Sequence, residues 1–278
     1  MIALLPPASR AALGTARERL EQRIADAGAE DLQRLGAEVG AVVAMLSREP
    51  VIRRHLADPS APVTARQAMV EALFGSKVSG PTRQMLTDVV ALRWSRSLDL
   101  VDGLEELARQ ALLALAERDD DLEDVEDELF RFGRILAAEP KLALLLGDES
   151  APVPRRLALL DTVLAGRVRP VTRLLLEQVV RAPRRRHLDE VVAELVDRAA
   201  ARRERSVAHV SAGGPLSEPQ QQRLLDALTQ VYQRPISLKV EFDPELLGGL
   251  VIRVGDEVID GSIAGKLEKA YQWLPTVR

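Results

Sequence analysis

The chain repeats itself, and that constrains its fold more than any other feature. With an offset of 90 positions and no gap, Glu49-Pro50 falls on Glu139-Pro140, Leu56 on Leu146, Asp58 on Asp148, and Ser60-Ala61-Pro62-Val63 on Ser150-Ala151-Pro152-Val153. The correspondence continues through Val78 and Val168, Thr82-Arg83 and Thr172-Arg173, Leu86 and Leu176, Val89-Val90 and Val179-Val180, and Leu98-Asp99 and Leu188-Asp189. About twenty identities over about sixty positions mark a duplicated folding unit rather than a short motif.

Each copy has the pattern of helices joined by short loops, with Pro50, Pro62, Pro140, Pro152 and Pro154 at the breaks. In the second copy Leu129, Ile135 and Leu136 give one helical stripe, Leu157, Leu160, Val163 and Leu164 another, and Leu174, Leu175, Gln178 and Val179 a third. Val191, Leu195 and Ala199, four residues apart, put a fourth helix over about 188–205. The same register places Leu98 to Leu115 on that fourth helix and Ala8 to Ala25 on Leu98 to Leu115. The segment around 98–117 is therefore expected to be a joint helix that closes the first bundle and opens the second.

Composition agrees with helices. Ala and Leu dominate, aromatic residues make up only 3%, and 46% hydrophobic with 29% charged residues is ordinary for a globular chain of 278 residues. There is no cysteine, which excludes disulfides, thiolate metal sites and cysteine nucleophiles. A formal net charge of −4 gives no bulk electrostatic reason to bind nucleic acid or an anionic membrane. The N-terminus MIALLPPASR lacks a basic segment and carries Pro6-Pro7, so no secretion signal is expected. Apolar runs such as Leu142 to Leu146 fall far short of the roughly 20 residues that span a bilayer.

The tail is built differently. Val207, Ala208 and Val210 suggest a strand, and Gly213-Gly214-Pro215 a turn. Ser217 with Gln220 suggests a capping box before a helix striped by Leu224, Leu228 and Val231. Ile236, Leu238 and Val240 alternate, then Leu250, Ile252 and Val254, with Gly255-Asp256-Glu257 as a turn into Val258-Ile259. Gly248-Gly249 and Gly261 mark bends. The expected fold is mainly α: two tandem duplicated helical bundles over 1–105 and 106–205, followed by a small α+β domain over 206–278.

The apparent chemical motifs weaken on inspection. Gly261-Ser-Ile-Ala-Gly265-Lys266-Leu267 has three residues between its glycines where a phosphate loop needs four, and Leu267 stands where Ser or Thr would reach magnesium. Ser262 instead suits a helix cap, with Ile263, Leu267 and Leu274 facing inward. In the acidic run Glu117 to Glu128, a calcium loop would need Gly and Glu where the chain has Asp124 and Phe130, so a solvated inter-helix segment is expected. The basic cluster Arg181 to His187 contains no aromatic residue for base stacking, and a solvated or partner-facing turn is expected there. His55, His187 and His209 are scattered, and no Ser, His and Asp cluster suggests a nucleophile. Neither an enzyme nor a cofactor-binding or metal site is expected.

The tail, FDPELLGGLVIRVGDEVIDGSIAGKL from Phe242 to Leu267, resembles the C-terminal signature of the delta subunit of F-type ATP synthases, the bacterial counterpart of the mitochondrial oligomycin-sensitivity-conferring protein. The carriers are Asp243-Pro244, LLGG, VIRVGDEVIDGS and the closing amphipathic helix. The resemblance covers roughly residues 105–278, and the extra leading repeat resembles the lengthened actinobacterial form. With no apolar span, the expectation is a separate subunit held at the cytoplasmic face of the cell membrane only through the complex. The resemblance implies a stator role. A helical bundle docks amphipathic N-terminal helices of alpha subunits on the catalytic head, and the C-terminal domain engages b-type subunits of the peripheral stalk. Helix-in-groove docking suits that load better than exposed ion pairs, which contribute only about 0–1 kcal/mol each. Leu107, Ala111, Leu112 and Leu115 on the joint helix are candidate groove residues, with plain bundle core as the competing reading. A second bundle suggests a second docked helix. The alternative function is a free-standing helical adaptor for amphipathic helices of other partners.

Overall fold

Proline sets several of the helix starts, because its missing N–H falls in the first turn, where a backbone amide has no intrahelical partner. Pro7, Pro50, Pro140 and Pro170 each open a helix. The computed structural model describes residues 5–184, 186–205, 207–232, 236–244, 246, 248–255 and 257–264. Its helices in chain order are α1 (Pro7–Asp26), α2 (Ala29–Arg48), α3 (Pro50–Leu56), α4 (Val63–Phe74), α5 (Gly80–Ala91), α6 (Ser97–Arg118), α7 (Leu122–Ala138), α8 (Pro140–Gly147), α9 (Val153–Leu164), α10 (Pro170–Arg181) and α11 (Leu188–Arg205). After these come β1 (Val207–Ala212), α12 (Glu218–Tyr232), β2 (Ser237–Phe242), β3 (Leu250–Val254) and β4 (Glu257–Asp260). The protein is thus mainly helical with a small four-stranded C-terminal sheet. It divides into two compact units, Met1–Asp197 and Arg198–Arg278.

In the first unit α3, α4 and α5 begin 90 positions before α8, α9 and α10. Local chemistry recurs with them. Asp58 accepts hydrogen bonds from the Ser60 amide at 2.9 Å and hydroxyl at 2.7 Å, and Asp148 accepts the same pair from Ser150 at 2.9 and 2.6 Å. The serine hydroxyl bond, then the amide bond, hold both carboxyls below their ordinary range. Buried Arg66 donates to the Val90 and Leu92 carbonyls, and buried Arg156 to the Val180 carbonyl, so each satisfies the carboxy-terminal end of the helix packed on it.

The middle of this unit is α6. Leu100, Val101, Leu107, Ala108, Ala111, Leu112 and Leu113 all have 0% exposure, so the boundary expected near residue 105 falls inside one continuous buried helix. Its start is pinned by Asp99, which accepts from Ser9 at 2.7 Å and from Arg96 at 2.9 Å. The α2 helix runs along it, and Gly36 marks the closest approach: a Cβ there would lie 2.5 Å from Leu112 Cγ. A Gly36→Ala change gains about 1 kcal/mol of helix propensity, yet overpacking a rigid core costs about 1–3 kcal/mol. Net destabilisation is expected. At Gly14 on α1 an added Cβ meets nothing within 4 Å, so Gly14→Ala should stabilise by about 0.5–1 kcal/mol. Thermal melts of both variants check the pair, and a stabilised Gly36→Ala protein would show that the α2–α6 contact is looser than described.

Two charged segments are more engaged than the sequence suggests. The acidic run does lead into α7, but Asp121 pairs with Arg169 at 3.2 Å, Asp124 also pairs with it, and Glu128 accepts from the Arg169 amide at 2.9 Å. These carboxylates gather at the start of α10. In the basic turn, expected to be solvated or partner-facing, Arg184 and Arg186 point back to α6 and bind Glu105 at 2.9 and 2.6 Å. A run of like charges in sequence was insufficient to reveal its partners, which lie about 80 residues away.

In the second unit the sheet order is β2-β1-β3-β4, with β1 parallel to β2 and antiparallel to β3, and β3–β4 a hairpin. The parallel pair requires a crossover, which α12 supplies. Ser217 precedes that helix, and Gln220 reaches back to accept from its amide at 2.8 Å. Ala208, Val210, Leu228, Ile236, Ile252 and Val254 form the core. The double glycine is required: Gly248 and Gly249 have φ of 142° and 86°, and a Cβ on Gly249 would lie 2.5 Å from the Gly261 carbonyl oxygen. Of the closing helix, Ile263 is exposed rather than facing inward, and Leu267 and Leu274, like Gly265 and Lys266, lie outside the described residues.

Candidate partner-docking surface

A protein that docks helices needs an exposed apolar or small-residue face flanked by polar groups. The four residues expected to line a groove on the joint helix do not provide one. Leu107, Ala111 and Leu112 have 0% exposure and Leu115 has 5%, each enclosed within the unit. Hydrophobic spacing shows that a helix has an apolar face; it does not show whether the same chain or another covers it.

Exposed apolar surface lies elsewhere. Phe130 and Ile135 on α7 and Leu144 and Leu145 on α8 are all exposed, Leu144 at 73%. A separate groove of about 910 Å³ runs between α2 on one side and α9 and α10 on the other. Its α2 wall holds Ala37, Ala41 and Ala44 at helical spacing together with Met45, its far wall holds Val153, Leu157 and Leu174, and Glu49 and Glu177 line it as well. Gln178 crosses the floor and donates to the Gly36 carbonyl at 2.9 Å, closing the gap between α10 and α2. A Cβ on Gly40 would meet Gln178 at 2.9 Å, so glycine permits this approach.

At one end the groove joins a second cavity of about 570 Å³ through Ala44, Arg48 and Arg181. Arg48, Arg53, Arg156, Arg181 and Arg184 line that end with Glu149. Arg181 pairs with Glu177, and Arg184 with Asp102 and Glu105. Arg53 donates to the Leu46 carbonyl at 3.1 Å, and Arg48 to the Arg181 carbonyl at 3.4 Å. The Nε atoms of Arg53 and Arg156 are buried without a hydrogen-bond partner. Burial, and after it the charge of Arg48, hold the Arg156 guanidinium below its ordinary range. One signal for Arg156 was present in the sequence, its correspondence with Arg66 in the repeat; nothing marked Arg48 or Arg53.

The model of the ATP synthase delta (OSCP) subunit family matches residues 108–274, more than half of the chain. The chain belongs to that family. It is 45% identical to ATP synthase subunit delta of Streptomyces avermitilis over 95% of this chain and 96% of that protein, and 42% identical to that of Streptomyces griseus over 95% and 97%. ATP synthase subunit b-delta of Mycobacterium sp. strain KMS is 42% identical over 96% of this chain, which spans 60% of that longer protein. A chain of the Toxoplasma gondii mitochondrial ATP synthase hexamer aligns with a TM-score of 0.31 at 22% identity, covering 60% of this chain and 96% of that one. That score is too low to compare arrangements, so family membership rests on sequence. This delta-type chain is a stator subunit of an F-type ATP synthase, and the free-standing adaptor reading is set aside.

Proposed function

We propose that the first unit of this delta-type subunit docks amphipathic N-terminal helices of alpha subunits on the catalytic head, while the second unit engages b-type subunits of the peripheral stalk. The observation that carries the reading is the 45% identity to a delta subunit over nearly the full length of both chains. The b-delta relatives support the stalk contact, since their name joins both subunits in one protein. Exposed Phe130, Ile135, Leu144 and Leu145 supply apolar contact area on the helical unit. Recurrence of helix starts and of the Asp58 and Asp148 turns at the 90-residue offset supports two duplicated bundles, fused here around α6. The role is mechanical: the head must not turn with the rotor, so this link bears torque without chemistry of its own. No helix among the described residues is long and apolar enough to cross a membrane, and attachment at the cytoplasmic face would come through the complex.

Sedimentation of the isolated catalytic head with increasing amounts of the chain provides the test. Saturation at one chain per head is expected. Failure to bind the head, or saturation at several chains per head, contradicts a single stator link.

A further inference from the structure

The two repeats close with equivalent turns, and those turns hold α6 by different means. The α5–α6 turn is anchored by Trp94, which is 2% exposed and donates from Nε1 to the Val89 carbonyl at 2.9 Å. Its indole lies so close to Gly103 of α6 that a Cβ there would come within 2.5 Å of it. With the 90-residue offset, the α10–α11 turn has Arg184 in that place. Arg184 reaches Asp102 and, at 2.9 Å, Glu105, while Arg186 reaches Glu105 at 2.6 Å. One short stretch of α6, residues 102–105, is thus gripped by an apolar anchor from one turn and by ion pairs from the other. Gly103 lies on a different face of the helix from Asp102 and Glu105, so the two grips are separate.

Three observations make the second anchor the weaker. Arg184 has a φ of 57°, left-handed backbone that a non-glycine residue adopts only at a cost, whereas Trp94 is not among the residues with positive φ. The Arg184 side chain is 12% exposed and that of Asp102 28%, so water and salt reach the pair and weaken it. Arg184 also lines the cavity of about 570 Å³ together with Arg48, Arg53, Arg156 and Arg181, where Glu149 is the single acid among the lining residues. Like charges therefore oppose its place in the closed turn. We infer that the α10–α11 turn is a releasable latch. Arg184 and Arg186 hold it closed on Asp102 and Glu105, and it is the part of the helical unit that opens first, while the α5–α6 turn stays shut. In a load-bearing link such a latch sets where the helical unit gives way first, whichever partners the chain binds.

Hydrogen–deuterium exchange of the full chain, followed by mass spectrometry, reads both turns at once. In the second turn the amides of Ala182, Arg186 and Val191 bond to the carbonyls of Gln178, Pro183 and His187. In the first, the amides of Leu92 and Asp99 bond to the Val89 and Arg96 carbonyls, and the Ser95 amide to Ser9 Oγ. Protection over residues 182–191 is expected to be roughly tenfold lower than over 92–99. Raising the ionic strength from about 0.1 M to about 1 M shortens the Debye length from about 10 Å to about 3 Å and should widen that ratio by roughly twofold or more. Asp102→Asn spares Glu105 and its bond to Arg109. It should lower protection over 182–191 roughly fivefold and over 92–99 by less than about twofold. Arg184→Asn removes the guanidinium but keeps a residue that tolerates left-handed backbone. Protection over 182–191 should fall again, and its dependence on salt should disappear.

Equal protection of the two turns in the wild-type chain overturns the latch, and that measurement needs no variant. An unchanged turn in Arg184→Asn overturns it as well. So does a loss of protection in Asp102→Asn that spreads through the whole helical unit, because the ion pairs would then belong to one cooperative core. None of these outcomes touches the stator reading, which sedimentation with the catalytic head tests separately.

Discussion

Truncation after Arg205 is expected to abolish ATP-driven proton pumping while leaving the catalytic head able to bind the remaining chain. The helical unit buries side chains from α1 through α11, among them Leu20, Leu107, Leu129, Leu160, Leu175 and Leu195, whereas among the described residues the second unit has a separate core of Ala208, Val210, Leu228, Ile236, Ile252 and Val254. Cutting after the last residue of α11 keeps that helix whole and removes the sheet. If the second unit supplies the stalk contact, the head then turns with the rotor and hydrolysis no longer drives protons. In stripped membranes reconstituted with the truncated protein, ATP hydrolysis should continue while acidification, followed with a pH-sensitive dye, drops to background. Pumping that survives the truncation would remove the stalk-binding role from the second unit.

Replacement of Glu105 is expected to produce the largest loss of stability. Both oxygens of this carboxylate are occupied: Oε1 meets Arg109 at 2.9 Å and Arg186 at 2.6 Å, and Oε2 meets Arg184 at 2.9 Å. Arg109 is 1% exposed and Glu105 is 6% exposed, so removing the carboxylate strands positive charge in a nearly dry site. Breaking a buried pair by removing one partner costs about 3–5 kcal/mol. For Glu105→Ala the melting temperature should drop on the order of 10 °C. A drop of less than a few degrees would mean that water or another carboxylate readily substitutes.

The pH dependence follows from the same cluster. Burial alone pushes the Glu105 carboxyl up, but the guanidiniums of Arg109, Arg186 and Arg184 outweigh it and bring it below the usual carboxylate range. A depressed folded-state value contributes stability that is present above the ordinary glutamate range and is lost as pH falls through the folded value. Glu105→Gln should therefore be less stable than wild type near neutral pH, and the gap should narrow in acid. A gap independent of pH would show that the charge of Glu105 contributes little.

Much of this architecture was legible because its signals are local. Pro50, Pro140 and Pro170 begin helices for a reason contained in the proline itself, and the alternation of Leu250, Ile252 and Val254 predicts a strand wherever that segment packs. Ser217 with Gln220, and the glycines at 248 and 249, likewise act within a few residues of chain. The repeat and the tail together also pointed to the family.

The sequence by itself determined which segments are helices or strands, where they stop, and which faces are apolar. Tertiary structure decided what covers those faces. Leu107, Ala111, Leu112 and Leu115 form an apolar stripe in either setting, and only the packing of other helices around α6 made them core rather than groove. The same holds for charge: Arg184 and Arg186 sit in a basic run, yet their counter-charges are Asp102 and Glu105 on a different helix. Side-chain burial and ion pairing depend on distances between segments far apart in the chain, and periodicity along one segment carries no information about those distances.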